Sequence, residues 1–449
     1  MHPVAVRSAE PIDLANVFRA KSSSERIGIE LEYGLVRSSG DGIGYDEPRG
    51  IRVLLESLLA ESSGEPVMED GNLLAVKFPD GAKVSLEPGG AIEYSSAPYE
   101  SVAQVTSSAG AAVDHLTELG RNLDIALLPG GLLPFTKVSE INWIPKGRVQ
   151  VMRDYFKTLG DSGSDADGVM GLATSAQTTL DYTSEEDLAT KLRVLVAISP
   201  IAAALFVNSP LEGGELTGAL SRRLQLWRKL APPRCGVLEF AVGRNPTVND
   251  IIEWVARLPM TYRSVDGHHV GAPDVPFTRL LTDGFGDGSF VTDADWESQL
   301  SQVWPHVRVR RTIELRIADG LPWHYFGAVP ALWAGVAYDA ESQHDALKLV
   351  NGWTWAELET LTDDVAVRGL AAKIGGESVG DVAGEVVRLS RRGLAARVDA
   401  GKEPPATLDL LDPLAEVVAS GRTFAECCVE QWLGAIGESR GKYVAYYRI

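Results

Sequence analysis

Lys83-Val84-Ser85-Leu86-Glu87-Pro88-Gly89-Gly90-Ala91-Ile92-Glu93-Tyr94-Ser95 reads as strand, turn, strand. Pro-Gly-Gly is a turn signal, because proline fixes φ and glycine adopts backbone angles that other residues avoid. The turn puts Glu87 at one strand end and Glu93 on the next, both available to one cavity. The glycines also leave room for a phosphate or substrate to approach the backbone. A plain hairpin with solvated acids has the same pattern. Working outward, strand-like segments recur at 27–35, 74–78, 125–128 and 308–317, and helical periodicity runs over Val102–Asn122 and 187–206. Glycine turns between strands, without regular strand–helix–strand alternation, favour an α+β fold: a largely antiparallel sheet with helices on its outside.

The 449 residues are 45% hydrophobic and 23% charged, enough for a large core. Lys and Arg number 42 against 61 Asp and Glu, a formal net charge of -19, which opposes binding to nucleic acid or an anionic membrane. Apolar runs such as 194–207 are too short to span a bilayer, and Glu10 and Asp13 stand where a signal peptide would place its apolar segment. A cytoplasmic protein is expected. The three cysteines, Cys235, Cys427 and Cys428, form no CxxC pair, and the seven histidines include no HExxH. Any metal must therefore draw mainly on carboxylates.

Residues 160–168 and 284–288 are rich in Gly, Asp and Ser and read as loops able to serve as lids. Length alone suggests roughly three domains. The chemistry-bearing segments, however, run from Gly28 to Trp323, which favours one catalytic unit over 1–330 with a helical region, 331–449, packed on it.

Gly28-Ile29-Glu30-Leu31-Glu32 opens a strand, so Glu30 and Glu32 share a face, with their Cα atoms about 7 Å apart. Two such carboxylates repel unless something positive lies between them, and magnesium, which takes oxygen ligands, meets that need. A solvated edge-strand face fits the same spacing. Arg310-Arg311-Thr312-Ile313-Glu314-Leu315-Arg316 puts Glu314 and Arg316 on one face, suited either to metal and phosphoryl contact or to an ion-pair ladder. Basic clusters at Lys146, Arg148 and Arg153 around Met152, and at Arg222, Arg223 and Arg234 beside Trp227, suit a carboxylate or phosphate ligand, or simple ion pairing. No P-loop, GxGxxG or GxSxG motif occurs, so an ATP user must grip phosphate through metal and arginine.

Read in order, IGIELE, VMEDGN, SLEPGGAIEYS, IPKGRVQVMRDYF, MGLATSAQTTLD, SPIAAALFVNSP, LSRRLQLW, RTIELRIADG and LPW resemble the glutamate–cysteine ligase family of the plant and proteobacterial type, from about residue 26 to 394. The resemblance implies a curved antiparallel sheet forming a funnel, flanked by helices and related to glutamine synthetase. It implies that ATP phosphorylates the γ-carboxylate of L-glutamate and that the amine of a second amino acid attacks the acyl phosphate. By position it assigns Glu30, Glu32, Glu87, Glu93, Gln177 and Glu314 to two or three Mg2+ ions and Arg316 to the transferring phosphate. It assigns Arg148, Met152, Tyr155, Arg223, Arg234, Thr261 and Tyr262 to the amino-acid substrates.

The sequence departs from the family pattern at Arg228-Lys229-Leu230-Ala231-Pro232-Pro233, at Thr261 and at Thr179. Retained metal and phosphate residues beside altered segments favour an acceptor other than cysteine, a small neutral amino acid that includes non-proteinogenic kinds. The alternatives are a glutamate–cysteine ligase of glutathione- or ergothioneine-type thiol synthesis, and an inactive homologue that senses glutamate or nucleotide.

Overall fold

Nine short strands form one sheet on which the rest of the chain is assembled. The computed structural model describes residues 12–20 and 24–449; Glu10, weighed above against a signal peptide, lies outside the described residues. In chain order the strands are β1 (Ile27–Val36), β2 (Glu65–Glu69), β3 (Asn72–Lys77), β4 (Lys83–Leu86), β5 (Ile92–Ser95), β6 (Ala126–Leu128), β7 (Ala176–Leu180), β8 (Val307–Val309) and β9 (Ile313–Leu315). Their order across the sheet is β8-β9-β7-β1-β5-β4-β3-β2, with β6 pairing the far end of β1, and every one of these pairings is antiparallel. This is the α+β arrangement that the strand and turn pattern implied.

Alternation along β1 creates two faces with different jobs. Ile27, Ile29, Leu31, Tyr33 and Leu35 are buried in the main apolar core, and Glu30 and Glu32 point the other way. The helices that matter are α1 (Ile51–Glu61), α2 (Val102–Asn122), α3 (Gly147–Thr158), α4 (Ala166–Leu172), α5 (Glu185–Phe206) and α6 (Arg222–Lys229). Helices α1 and α2 pack on the apolar face of the sheet, whereas α3, α4 and α6 stand around the acidic face. Each long helix begins where a serine can cap it: Ser101 accepts from Gln104 N before α2, and Ser184 from Asp187 N before α5. The Ser184 cap is why α5 starts at Glu185, two residues earlier than its apolar periodicity shows.

Helix α5 also exceeds the apolar run 194–207, because amphipathic turns precede that run. By length and composition alone it is able to cross a membrane, but 83% of its most apolar window is buried inside the protein, which makes it the core helix.

Two segments differ from their sequence reading. The stretch 308–317 is a hairpin rather than one strand: Arg310 N donates to Thr312 O at 2.9 Å, the chain turns through three polar residues, and Arg316 lies beyond the end of β9. The stretch 160–168 is a 3-10 turn, Gly160–Gly163, running into α4, with Gly163 and Gly168 buried. A Cβ at Gly163 would lie 1.9 Å from Phe156 O, so that glycine permits close packing rather than motion. Residues 284–288 do form an irregular loop, tied down by the Arg263–Asp287 ion pair.

Beyond residue 331 the chain is helical apart from a short strand pair, Lys373–Ile374 with Glu377–Ser378. Its apolar residues, such as Val365, Leu389 and Leu411, belong to the same core cluster as the β1 residues. Glu403 is buried, accepts from Val102 N at 2.7 Å at the start of α2, and pairs with Arg397, fastening this region to the N-terminal half. All three cysteines are free.

Candidate active site

Strand register decides which of the chain's acids meet. Glu30 lies opposite Gln177 on β7 and Ser95 on β5, and Glu32 lies opposite Glu93, which in turn faces Ser85 on β4. Carboxylate oxygens of Glu30, Glu32 and Glu93 come within 4.8 Å of one another. Glu87, at the end of β4, shares a hydrogen bond with Glu93 and lines the same cavity of about 280 Å³. Glu314 sits one row over, opposite Thr179. It accepts from Arg308 Nε at 2.6 Å and Arg310 Nε at 2.7 Å, and faces a neighbouring cleft. Gln177 bridges two groups: its Nε2 donates to Glu32 at 3.0 Å, and its Oε1 accepts from Arg316 Nη1 at 2.6 Å.

The electrostatics divide these acids. Burial, then Glu93 and Glu32, push the Glu30 pKa well above its ordinary value. Burial, then Glu87 and Glu93, push Glu32 up to about 8, and burial with Glu93 raises Glu87. Glu93 is the exception. Burial works against its charge, but Lys83 at 3.6 Å and hydrogen bonds from Ser95 at 2.7 Å and Ser85 at 2.9 Å outweigh it, down to about 2. Glu314 is likewise held at about 2, burial being outweighed by Arg308, Arg310 and Arg316. Like charges in a dry site resist ionising together. A second positive partner in the cavity would reverse that, and the Glu30 carboxylate has no hydrogen-bond donor among the described residues.

Around the acids stand cations and an apolar wall. Arg148 and Met152 enter from α3, Met170 from α4, Arg223 and Trp227 from α6, and Tyr262, Trp304, Arg308, Arg310 and Arg316 from later segments. Burial works against the Arg148 charge, but the Tyr262 phenol and Glu87 outweigh it and raise its pKa. Arg223 donates to the backbone oxygens of Ile317 at 3.2 Å and Arg316 at 2.8 Å, and lies 3.6 Å from Asp319. Its Nε and the Trp227 Nε1 are buried without a hydrogen-bond partner among the described residues.

Three residues expected at the substrates stand outside the cavity lining. Thr261 is buried with its N–H and hydroxyl on Gln302. Arg234 is buried behind the wall and donates to Gln302 O at 3.1 Å, Tyr155 OH at 2.9 Å and Pro259 O, which occupies Tyr155 as well. Of the divergent segment 228–233, only Leu230 lines the cavity; Arg228 instead pairs with Glu359 and Asp363 on the helix Trp355–Arg368. The Pro-Gly-Gly turn also serves packing rather than ligand approach, since a Cβ at Gly89 would lie 1.9 Å from Gly171 O.

Other residues at the site were not singled out from sequence. Lys83 becomes visible only through the β4–β5 register, and Trp304 is an isolated aromatic. Asp319 is buried against Ser209 and Ser221 (2.8 and 3.1 Å), where Gly131 leaves it room. Lys146, by contrast, belongs to the basic cluster read from the sequence; it donates to Leu86 O, and burial together with Arg148 brings its pKa down to about 8.

The family model of Glutamate-cysteine ligase family 2 matches residues 26–445. The chain is 33% identical over 417 residues to the chloroplastic glutamate–cysteine ligase of Brassica juncea, covering 92% of this chain and 79% of that protein. It is 31% identical over 448 residues to the enzyme of the same name from Nicotiana tabacum, covering 97% and 83%. Among solved structures, a glutamate–cysteine ligase from Francisella tularensis in complex with AMP aligns with a TM-score of 0.54 at 12% identity, over 96% of this chain and 90% of that one. A bifunctional glutathione synthetase from Pasteurella multocida aligns with a TM-score of 0.50 at 11% identity, over 96% and 52%. At such identities these two structures speak for the fold alone.

Proposed function

Because the chain belongs to glutamate–cysteine ligase family 2, whose members are ATP-dependent ligases, we propose that it joins the γ-carboxylate of L-glutamate to the amino group of a second amino acid through a γ-glutamyl phosphate. The observation that carries this reading is the buried acidic cluster of Glu30, Glu32 and Glu93 facing Arg148, Arg223, Arg308 and Arg316 across one cavity. Glu30, Glu32, Glu87 and Glu93 would hold Mg2+, whose positive charge lets a carboxylate and a triphosphate meet. Arg316, oriented by Gln177, faces the transferring phosphoryl oxygens, and a donor fixed before the reaction costs no reorganisation during it. Glu314 keeps Arg308 and Arg310 in place rather than binding metal directly. Arg148 and Arg223 are the carboxylate-binding forks for the amino acids.

The acceptor in this reading has a small uncharged side chain. Cysteine, named for the relatives, is the first candidate, and the divergent residues Thr261 and Arg228 lend no support against it because neither lines the cavity. A non-cysteine acceptor is the second reading. It is favoured by the wall of Met152, Phe156, Val169, Met170 and Leu230, whose side chains offer dispersion contact rather than a hydrogen-bond donor. The three free cysteines support a reducing compartment, here taken as the cytoplasm.

An amino-acid panel with glutamate, Mg2+ and ATP, its products identified by mass, tests the reading. A γ-glutamyl dipeptide with stoichiometric ADP supports it, and cysteine leading the specificity constants by tenfold or more decides for the first acceptor. ATP hydrolysis independent of glutamate, or none with any acceptor, overturns it.

A further inference from the structure

We propose that Glu69 is a positioning residue for Arg148 and Tyr262, an inference that rests on reading their cavity as the substrate site. Glu69 ends β2, an edge strand otherwise exposed to solvent, and no role was assigned to its VMEDGN segment. Its carboxylate reaches the two elements that carry the pair.

On one side, Glu69 Oε1 accepts from Gly147 N at 2.8 Å. Gly147 is the first residue of α3, and the residue before it, Lys146, provides no side-chain cap. A carboxylate from a distant strand thus does the capping, where the positive end of the helix favours a negative charge. A Cβ at position 147 would lie 2.7 Å from that oxygen, so the glycine makes room for the contact. The next residue is Arg148, and the orientation of the first helical turn sets where its guanidinium enters the cavity.

On the other side, the same oxygen lies 3.4 Å from His269 Nδ1. The His269 ring meets Tyr262 edge-on, with centroids 5.3 Å apart and planes at 77°. Tyr262 lines the cavity beside Arg148. One carboxylate therefore holds the helix start before Arg148 by a hydrogen bond and packs against the ring behind Tyr262 without one, His269 Nδ1 having no hydrogen-bond partner among the described residues. The adjoining Asp70 faces His268 at 3.6 Å with both side chains more than half exposed, and such a surface pair holds little.

The test compares steady-state kinetics of Glu69→Gln, Asp70→Asn, Arg148→Ala and the Glu69→Gln/Arg148→Ala double variant, with thermal melts as controls. Expected for Glu69→Gln is a rise of about fivefold to tenfold in KM for one amino-acid substrate. Its kcat should stay within about twofold, its KM for ATP unchanged, and its Tm close to the parent's. Asp70→Asn should match the parent, and the double variant should be less impaired than the product of the two single effects, the remaining part acting through Tyr262. Silent Glu69→Gln beside an impaired Arg148→Ala overturns the positioning role by itself, as do effects that multiply in the double variant or a uniform loss of kcat together with Tm. An Arg148→Ala enzyme with both amino-acid KM values unchanged overturns the substrate-site reading and the inference with it.

Discussion

Replacing Glu32 with glutamine should abolish turnover and yet stabilise the metal-free fold at neutral pH. Glu32 carries a pKa of about 8 in the folded protein, raised chiefly by burial and then by Glu87 and Glu93. An acid with a raised pKa takes up a proton on folding between its unfolded value near 4.5 and about 8, so stability is lost as pH rises through that window. At pH 7 the cost is bounded by roughly 2.5 pH units at about 1.4 kcal/mol each, or between about 3 and 4 kcal/mol. At pH 5 it falls below about 1 kcal/mol. Glutamine keeps an acceptor for Ser175 or Gln177, which now donate at 2.9 and 3.0 Å, and loses one of the two contacts at about 1 kcal/mol. For a chain of 449 residues, 1 kcal/mol moves Tm by about 1 °C. In EDTA, Glu32→Gln should therefore melt about 2 °C above the parent at pH 7 and level with it at pH 5. Saturating Mg2+ should reverse the order at pH 7, because the variant has lost a ligand. A variant that is less stable than the parent at both pH values in EDTA, or one stabilised equally by Mg2+, would refute the reasoning.

Further expectations follow from other groups. Arg316→Ala should lower kcat by about a hundredfold or more while the protein stays folded by circular dichroism, since one pre-oriented donor to developing charge is worth about 3–4 kcal/mol. His306 is held at about 3 by burial and by Arg228 and Arg223, so the folded state resists its protonation, and the stability it costs grows as pH falls below 6.5. Relative to His306→Gln, the parent's Tm should drop by about 1 °C per pH unit between pH 6 and 4, and parallel melting curves would contradict this. Iodoacetamide at pH 8 should alkylate exposed Cys427 in the folded protein and spare Cys428 and Cys235, whose thiol burial pushes up to about 12; peptide mapping reads the outcome.

Local pattern carried much of this architecture, and register carried the site. Helix Val102–Asn122 was legible to the residue because its apolar period and serine cap lie in one stretch. The shared face of Glu30 and Glu32 follows from alternation alone. That Glu93 joins them, while Glu314 sits a strand further out between Arg308 and Arg310, depends on pairings such as Glu32 with Glu93, 61 positions on, and Glu314 with Thr179, 135 positions back, which no local spacing encodes. Thr261 and Arg234 show the same limit: both are next to the wall in sequence, but Gln302, forty and more residues away, turns them from the cavity. Glycines misled in a consistent direction. Gly89 and Gly163 mark backbone-to-backbone contact with Gly171 and Phe156, whereas composition suggested ligand approach or mobility.

The most direct test of the central claim follows oxygen from glutamate. With L-glutamate labelled by 18O in its γ-carboxylate, ATP, Mg2+ and the acceptor, the bridging oxygen of a γ-glutamyl phosphate stays with phosphorus when the amine attacks. The account predicts one 18O per released phosphate, alongside ADP and a γ-glutamyl dipeptide. Dipeptide accompanied by unlabelled phosphate, or by AMP carrying the label, would contradict it.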